Sequence, residues 1–169
     1  MSFKKNIIAF FVISILGTIG HFIFEWTGQN EIIGLFFPVN ESVWEHLKLL
    51  FFPTVIYSIG EYLLSEEKPK NYLPATVIGL ICGMFFIVAV YYILNGVLGY
   101  DIEFVNIASY YVAVLVSIIK KNKVIKSGKY HSKTANIFFA IILGIFAILF
   151  PVFSFNPLSF GIFTPPMTV

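Results

Sequence analysis

The chain has no arginine. All eleven basic residues are lysines, so the planar two-pronged grip that a guanidinium offers to phosphate or carboxylate is missing. Charge of either sign is scarce: 12% of the 169 residues are charged, against about 25% in soluble domains. Cysteine occurs once, as Cys82 within an apolar run, which excludes an internal disulfide and fits a small core residue. Histidine occurs three times, at positions 21, 46 and 131. There is no glycine-rich phosphate loop, no Ser-His-Asp order and no haem motif. The net charge of +2 is too small to argue for a nucleic-acid partner.

What the chain has is apolar surface. Hydrophobic residues make up 58%, with 20 phenylalanines and 9 tyrosines, and the mean hydropathy is +0.87. A soluble domain of this length cannot keep so many aromatic rings from water, and a bilayer can. A spanning helix needs about 20 mostly apolar residues. Five stretches qualify, at approximately 7–26, 44–64, 73–99, 104–119 and 135–155. The fold class expected is therefore all-α, a single transmembrane helix bundle of about five spans over residues 1–169. The first stretch runs past Gly20 into Phe22, Ile23 and Phe24 without a small-x-small cleavage site, so it reads as a retained anchor. Pro53 and Pro151 are expected to kink the second and fifth spans. Gly79 and Gly83, spaced GxxxG, are expected to let a neighbouring backbone come close. The tail after Phe155 carries Pro157, Pro165 and Pro166 and is too broken for a regular sixth span.

Orientation follows from the lysines in the short loops. One side carries Lys4, Lys5, Lys68, Lys70 and the six lysines from Lys120 to Lys133; the other carries only Lys48. Five spans with the N-terminus cytoplasmic and the C-terminus outside satisfy this alternation, and the cell membrane is the expected location. In this arrangement the lysines from 120 to 133 act as a topology signal in a basic loop that also holds a solvated His131.

Acidic residues gather on the opposite, outer side: Glu25, Glu31, Glu41, Glu45, Asp101 and Glu103. Ionisable groups at membrane depth are costly and mark functional sites. In the first span Ser14, Gly17, Thr18, His21 and Glu25 recur at spacings of three and four, and so share one face. In the second, His46, Thr54, Tyr57 and Glu61 fall within an arc of roughly 80°. Asn106, Tyr110 and Ser117 make a weaker stripe in the fourth. Three polar faces in a small bundle are buried most economically against one another. The expected site is an outward-facing pocket with His21, Glu25, Asn30, Asn40, Glu41 and His46, continuing inward through Tyr57 to Glu61.

Plainer roles compete for several of these residues. Ser42 and Glu45 have capping-box spacing, so Glu45 is expected to satisfy amides at the start of the second span. Lys48 is expected to pair with Glu45 at the interface. Trp26 and Trp44 stand where belt tryptophans anchor helices to headgroups.

The run from His21 through Glu25-Trp26 to Asn30, followed by Pro38-Val-Asn-Glu-Ser-Val-Trp-Glu-His-Leu-Lys48, resembles the signature of a family of small bacterial membrane proteins of unknown function. The resemblance covers most of the first 60 residues. It implies a membrane protein with a shared outer-face segment and carries no activity.

Three functions stand side by side. The first is a membrane protein whose outer pocket binds or passes a small solute or ion. The second is a structural or accessory subunit, with polar residues that only hold helices together. The third is a metal-dependent hydrolase acting on a lipid or envelope substrate, with His21, His46 and a carboxylate as ligands. No cofactor is expected; a metal, if bound, would take His21, His46 and Glu25. Partners beyond the lipid bilayer would be that solute or ion, a second copy, or another membrane protein.

Overall fold

A computed structural model describes residues 3–98 and 102–165. It contains six helices, α1 (Phe3–Trp26), α2 (Glu31–Gly34), α3 (Val43–Leu64), α4 (Tyr72–Leu98), α5 (Glu103–Ser127) and α6 (Lys133–Phe155), followed by a 3-10 turn, Gly161–Phe163. Five of them, all but α2, are long and apolar enough to cross a membrane. Large apolar side chains such as Phe11, Ile59, Phe85 and Ile141 point outward, the arrangement of a protein whose solvent is lipid. The chain is a multi-pass helical membrane protein.

Local chemistry sets the helix ends. Ser42 caps α3, its hydroxyl accepting from the Glu45 amide at 3.4 Å, and Ser132 caps α6 through the Ala135 amide at 3.1 Å. Gly128, at φ +64°, ends α5 in the left-handed conformation that glycine adopts without strain. That end corrects the sequence reading, which stopped the fourth span at 119. Lysines 120, 121 and 123 end the apolar signal, yet lysine is a good helix former and the helix continues for two more turns. Pro53 and Pro151 both lie inside continuous helices. The expected end of the third span, Gly99, lies outside the described residues, as does Asp101.

Helix α3 runs through the bundle and packs against α1, α4 and α6, while α4 and α5 form the tightest pair. The two α4 glycines cause that closeness. A Cβ on Gly79 would stand 2.5 Å from the Ser117 carbonyl oxygen, and one on Gly83 would stand 2.8 Å from that of Ala113. The GxxxG reading holds, with α5 as the close neighbour. Between the helices lies a core of Leu50, Phe51, Leu80, Val114 and Phe150.

The two tryptophans part company. Trp26 is 70% exposed, in keeping with an interfacial role, whereas Trp44 is buried. Its ring lies against Phe150, Phe153 and Phe163, at 4.8, 5.6 and 5.1 Å between centroids. The 3-10 turn that carries Phe163 folds back over Trp44, so this residue is core rather than belt. The first turn of α3 needed a large ring there to close the bundle against α6 and the tail.

Candidate functional site

The ion pairs of the bundle lie toward its two ends. His46 and Glu61 stand fifteen residues apart on α3, about 22 Å at the 1.5 Å rise of an α-helix. The single pocket expected from His21 to Glu61 is therefore divided between two separate groups.

At the end where α1 stops and α3 begins, Asn40 accepts from the Ser42 amide at 2.9 Å. This tight turn stands Glu41 above the start of α3. The Glu41 carboxylate meets His46 Nε2 at 3.3 Å and His21 Nε2 at 3.9 Å. The two imidazole rings lie 5.4 Å apart between centroids. One ligand atom from each of the three residues falls within 4.8 Å of the others. All three side chains are partly open, with exposures of 31% for His21, 34% for His46 and 62% for Glu41.

Proton bookkeeping at His46 is informative. Its Nδ1 lies 3.0 Å from the Ser42 carbonyl oxygen, which can only accept, so Nδ1 carries a hydrogen. In the neutral ring Nε2 then presents a lone pair to the Glu41 carboxylate. Two lone pairs at that distance require a cation between them, either a proton or a metal ion. The hydrogen bond from His46, helped by the charges of His46 and His21 and opposed by partial burial, holds the Glu41 carboxyl below the usual carboxylate range.

The convergence of His21 and His46 is as expected. The carboxylate is not the one anticipated for a metal: Glu41 takes the place assigned to Glu25, which is exposed in the last turn of α1. The reason is the turn after α2, which brings Glu41 back over the α1–α3 seam. Asn30 is spent locally, its side chain accepting from the Ile32 and Ile33 amides to cap α2. Asn40 is spent on the turn itself.

Beneath this group lies a buried ion pair. Lys48 Nζ meets Glu45 Oε2 at 2.9 Å with side-chain exposures of 0% and 1%, so the pair is internal and not interfacial. Lys48 also donates to the carbonyls of Gly34 and Phe37 at 2.8 and 3.2 Å. Glu45 accepts from the Val39 amide at 2.9 Å and from the Ser154 hydroxyl at 2.6 Å. Glu45 thus fills only half a capping box: Ser42 caps its amide, but its own carboxylate reaches Val39 and α6 instead. The pair clamps the 34–39 loop, α3 and α6 together.

The opposite end holds Glu61. Lys121 Nζ donates to Glu61 Oε2 and to the Tyr72 hydroxyl, both at 2.8 Å, and to Ser58 Oγ at 3.2 Å. Tyr72 donates to Glu61 at 2.6 Å. Both charged side chains are 8% exposed. Tyr57 is close by and donates to the Lys5 carbonyl at 3.4 Å. By hydropathy Lys121 belongs with the loop lysines, whereas here it is buried beside Glu61. The signal was present, because Lys121 lies four residues after Ser117 and extends the Asn106, Tyr110, Ser117 stripe by one turn.

A family model described as a family of unknown function, DUF6512, matches residues 2–169. The chain belongs to that family. A family of unknown function over nearly the whole chain accords with the expectation of an uncharacterised family. No curated protein and no solved structure matches. The DUF6512 assignment brings no activity with it, so any function has to be argued from the two polar groups.

Proposed function

We propose that this is an ion-binding membrane protein whose His21, Glu41 and His46 hold a divalent transition-metal ion, zinc being the best match. The supporting observation is the meeting of two imidazoles and a carboxylate with ligand atoms within 4.8 Å of one another. Two histidines and one carboxylate are a zinc ligand set, with metal–ligand bonds of about 2.0–2.2 Å. Tetrahedral ligands on such bonds lie about 3.4 Å apart, so the group has to contract by up to about 1.4 Å to close on an ion. The Ser42 carbonyl on His46 Nδ1 is the kind of outer partner that fixes a ligating tautomer. Three protein ligands leave a fourth position to water, and the partial exposure of all three side chains gives water access.

This reading replaces the sequence expectation of no bound metal. Glu45, expected to cap the second span, is instead held by Lys48, Val39 and Ser154, and the carboxylate beside the two histidines is that of Glu41. The lysine distribution supports an outer-face position for the group, where an ion would arrive from outside the cell. The accessory-subunit reading draws on the two buried ion pairs, whose partners are helices rather than ligands. An open zinc position would also provide the water that the hydrolase alternative requires.

The test is metal content. Protein stripped with chelator and titrated with zinc is expected to take up about one equivalent per chain. His46→Ala and Glu41→Ala are each expected to reduce the affinity at least tenfold. Failure of the wild-type protein to bind zinc at micromolar concentration would sink the proposal, as would binding unchanged in both variants.

A further inference from the structure

Between α1, α3, α4 and α5 lies a small internal cavity, separate from the histidine group. Its walls include Ile13 of α1, Thr54 and Ser58 of α3, Thr76 of α4, and Ser117 and Lys121 of α5. The residues Thr54, Thr76 and Ser117 are 5%, 4% and 3% exposed, yet their hydroxyls have no hydrogen-bond partner among the described residues. This is unusual for a helix hydroxyl, which ordinarily bonds back to the carbonyl one turn earlier. Thr18 does so to Ser14. The three residues come from three different helices and line the same cavity. Leaving each unpaired in a bilayer-spanning core is costly, because a buried hydroxyl gives up its bonds to water and gains none in return.

The space is the size of a water molecule, at about 10 Å³. A cavity of roughly 10–15 Å³ is what one water needs, and buried waters make about three hydrogen bonds. Packing shapes the site: Gly83 lets α5 come so close that a Cβ there would collide with Ser117 Oγ, so no side chain of α4 stands between the two helices at that level.

We infer that this cavity is an internal binding site for a neutral, water-sized hydrogen-bonding molecule, occupied by water and held by Thr54, Thr76 and Ser117. Ser58 Oγ forms part of the wall and accepts a hydrogen from Lys121 at 3.2 Å, so its own hydrogen is free to turn toward the cavity. The water therefore joins the Lys121, Glu61 and Tyr72 group into one polar network across α3, α4 and α5. It supplies the partner that the three hydroxyls lack, and brings a solvent molecule to a buried ion pair about one helical turn away.

Paired substitutions at one position provide the test. Thr76→Val keeps the shape of threonine and removes the hydroxyl; Thr76→Ser keeps the hydroxyl and removes a methyl. Around a bound water the serine variant retains more of the wild-type thermal midpoint than the valine variant. In a dry cavity the order reverses, since valine fills the same space and removes an unpaired polar group. The same order is expected for Thr54→Ser against Thr54→Val. With a shared water, Thr54→Val and Thr76→Val together lower the midpoint by less than the sum of the two single effects. A higher midpoint for valine than for serine at both positions overturns the inference, as does a fully additive double variant. These melts use the full chain in detergent and involve none of the residues proposed to hold metal.

Discussion

Lys48 and Lys121 are the two lysines that the structure takes out of water, and each is surrounded by acceptors. Lys121 has three, from Ser58, Glu61 and Tyr72. Removing one partner of a buried pair leaves the other charge uncompensated, at a cost of about 3–5 kcal/mol, whereas replacing the whole pair with apolar groups is often neutral. Lys121→Met is therefore expected to lower the thermal midpoint sharply, and Lys121→Met with Glu61→Leu to recover part of the loss. A single variant that melts with the wild type would show that the pair is not coupled to folding. Lys48→Met should be at least as damaging, because Lys48 also holds the Gly34 and Phe37 carbonyls of the loop.

Among the helices, the α4–α5 contact depends on the absence of side chains. Gly83→Ala would place a methyl against Ser117 Oγ and 2.8 Å from the Ala113 carbonyl oxygen. Overpacking of this kind costs about 1–3 kcal/mol. Gly60 in α3 has nothing within 4 Å of a built Cβ. Gly60→Ala should therefore stabilise, because alanine is favoured over glycine in a helix interior by about 1 kcal/mol. Thermal melts of the two variants side by side are expected to move in opposite directions; a loss of stability at Gly60 equal to that at Gly83 would refute the packing account. The same contact carries Ser117 and Lys121 to the inner cavity, so helix packing and polar chemistry depend on one another here.

For the molecule as a whole, the alternation of lysines predicts which end faces the cytoplasm. Asn30 and Ser127 lie at opposite ends of the bundle and are both exposed. In a Cys82→Ala background, a cysteine at position 30 is expected to react with an impermeant thiol reagent added to intact cells, and a cysteine at 127 only after permeabilisation. Ready labelling of position 127 from outside would invert the assignment and move the histidine group to the cytoplasmic face.

The composition and period of the sequence determined the solvent, the helical class and five spans, because apolar runs of sufficient length have no other stable home. Spacing within a helix placed His21 on the inward face of α1 and Glu61 in line with His46, since a 3.6-residue turn is a local property. Glu41 could not be chosen over Glu25 in this way: its position depends on how the loop after α2 turns back over α1, a contact between residues 20 apart. Lys121 was likewise a loop lysine by hydropathy. Only the tertiary structure made it a core residue, because the cost of burying an ammonium group is met by Ser58, Glu61 and Tyr72, which belong to other helices. The proposed water site has the same origin: Thr54, Thr76 and Ser117 are ordinary helix residues in sequence, and line one cavity only when three helices pack around it.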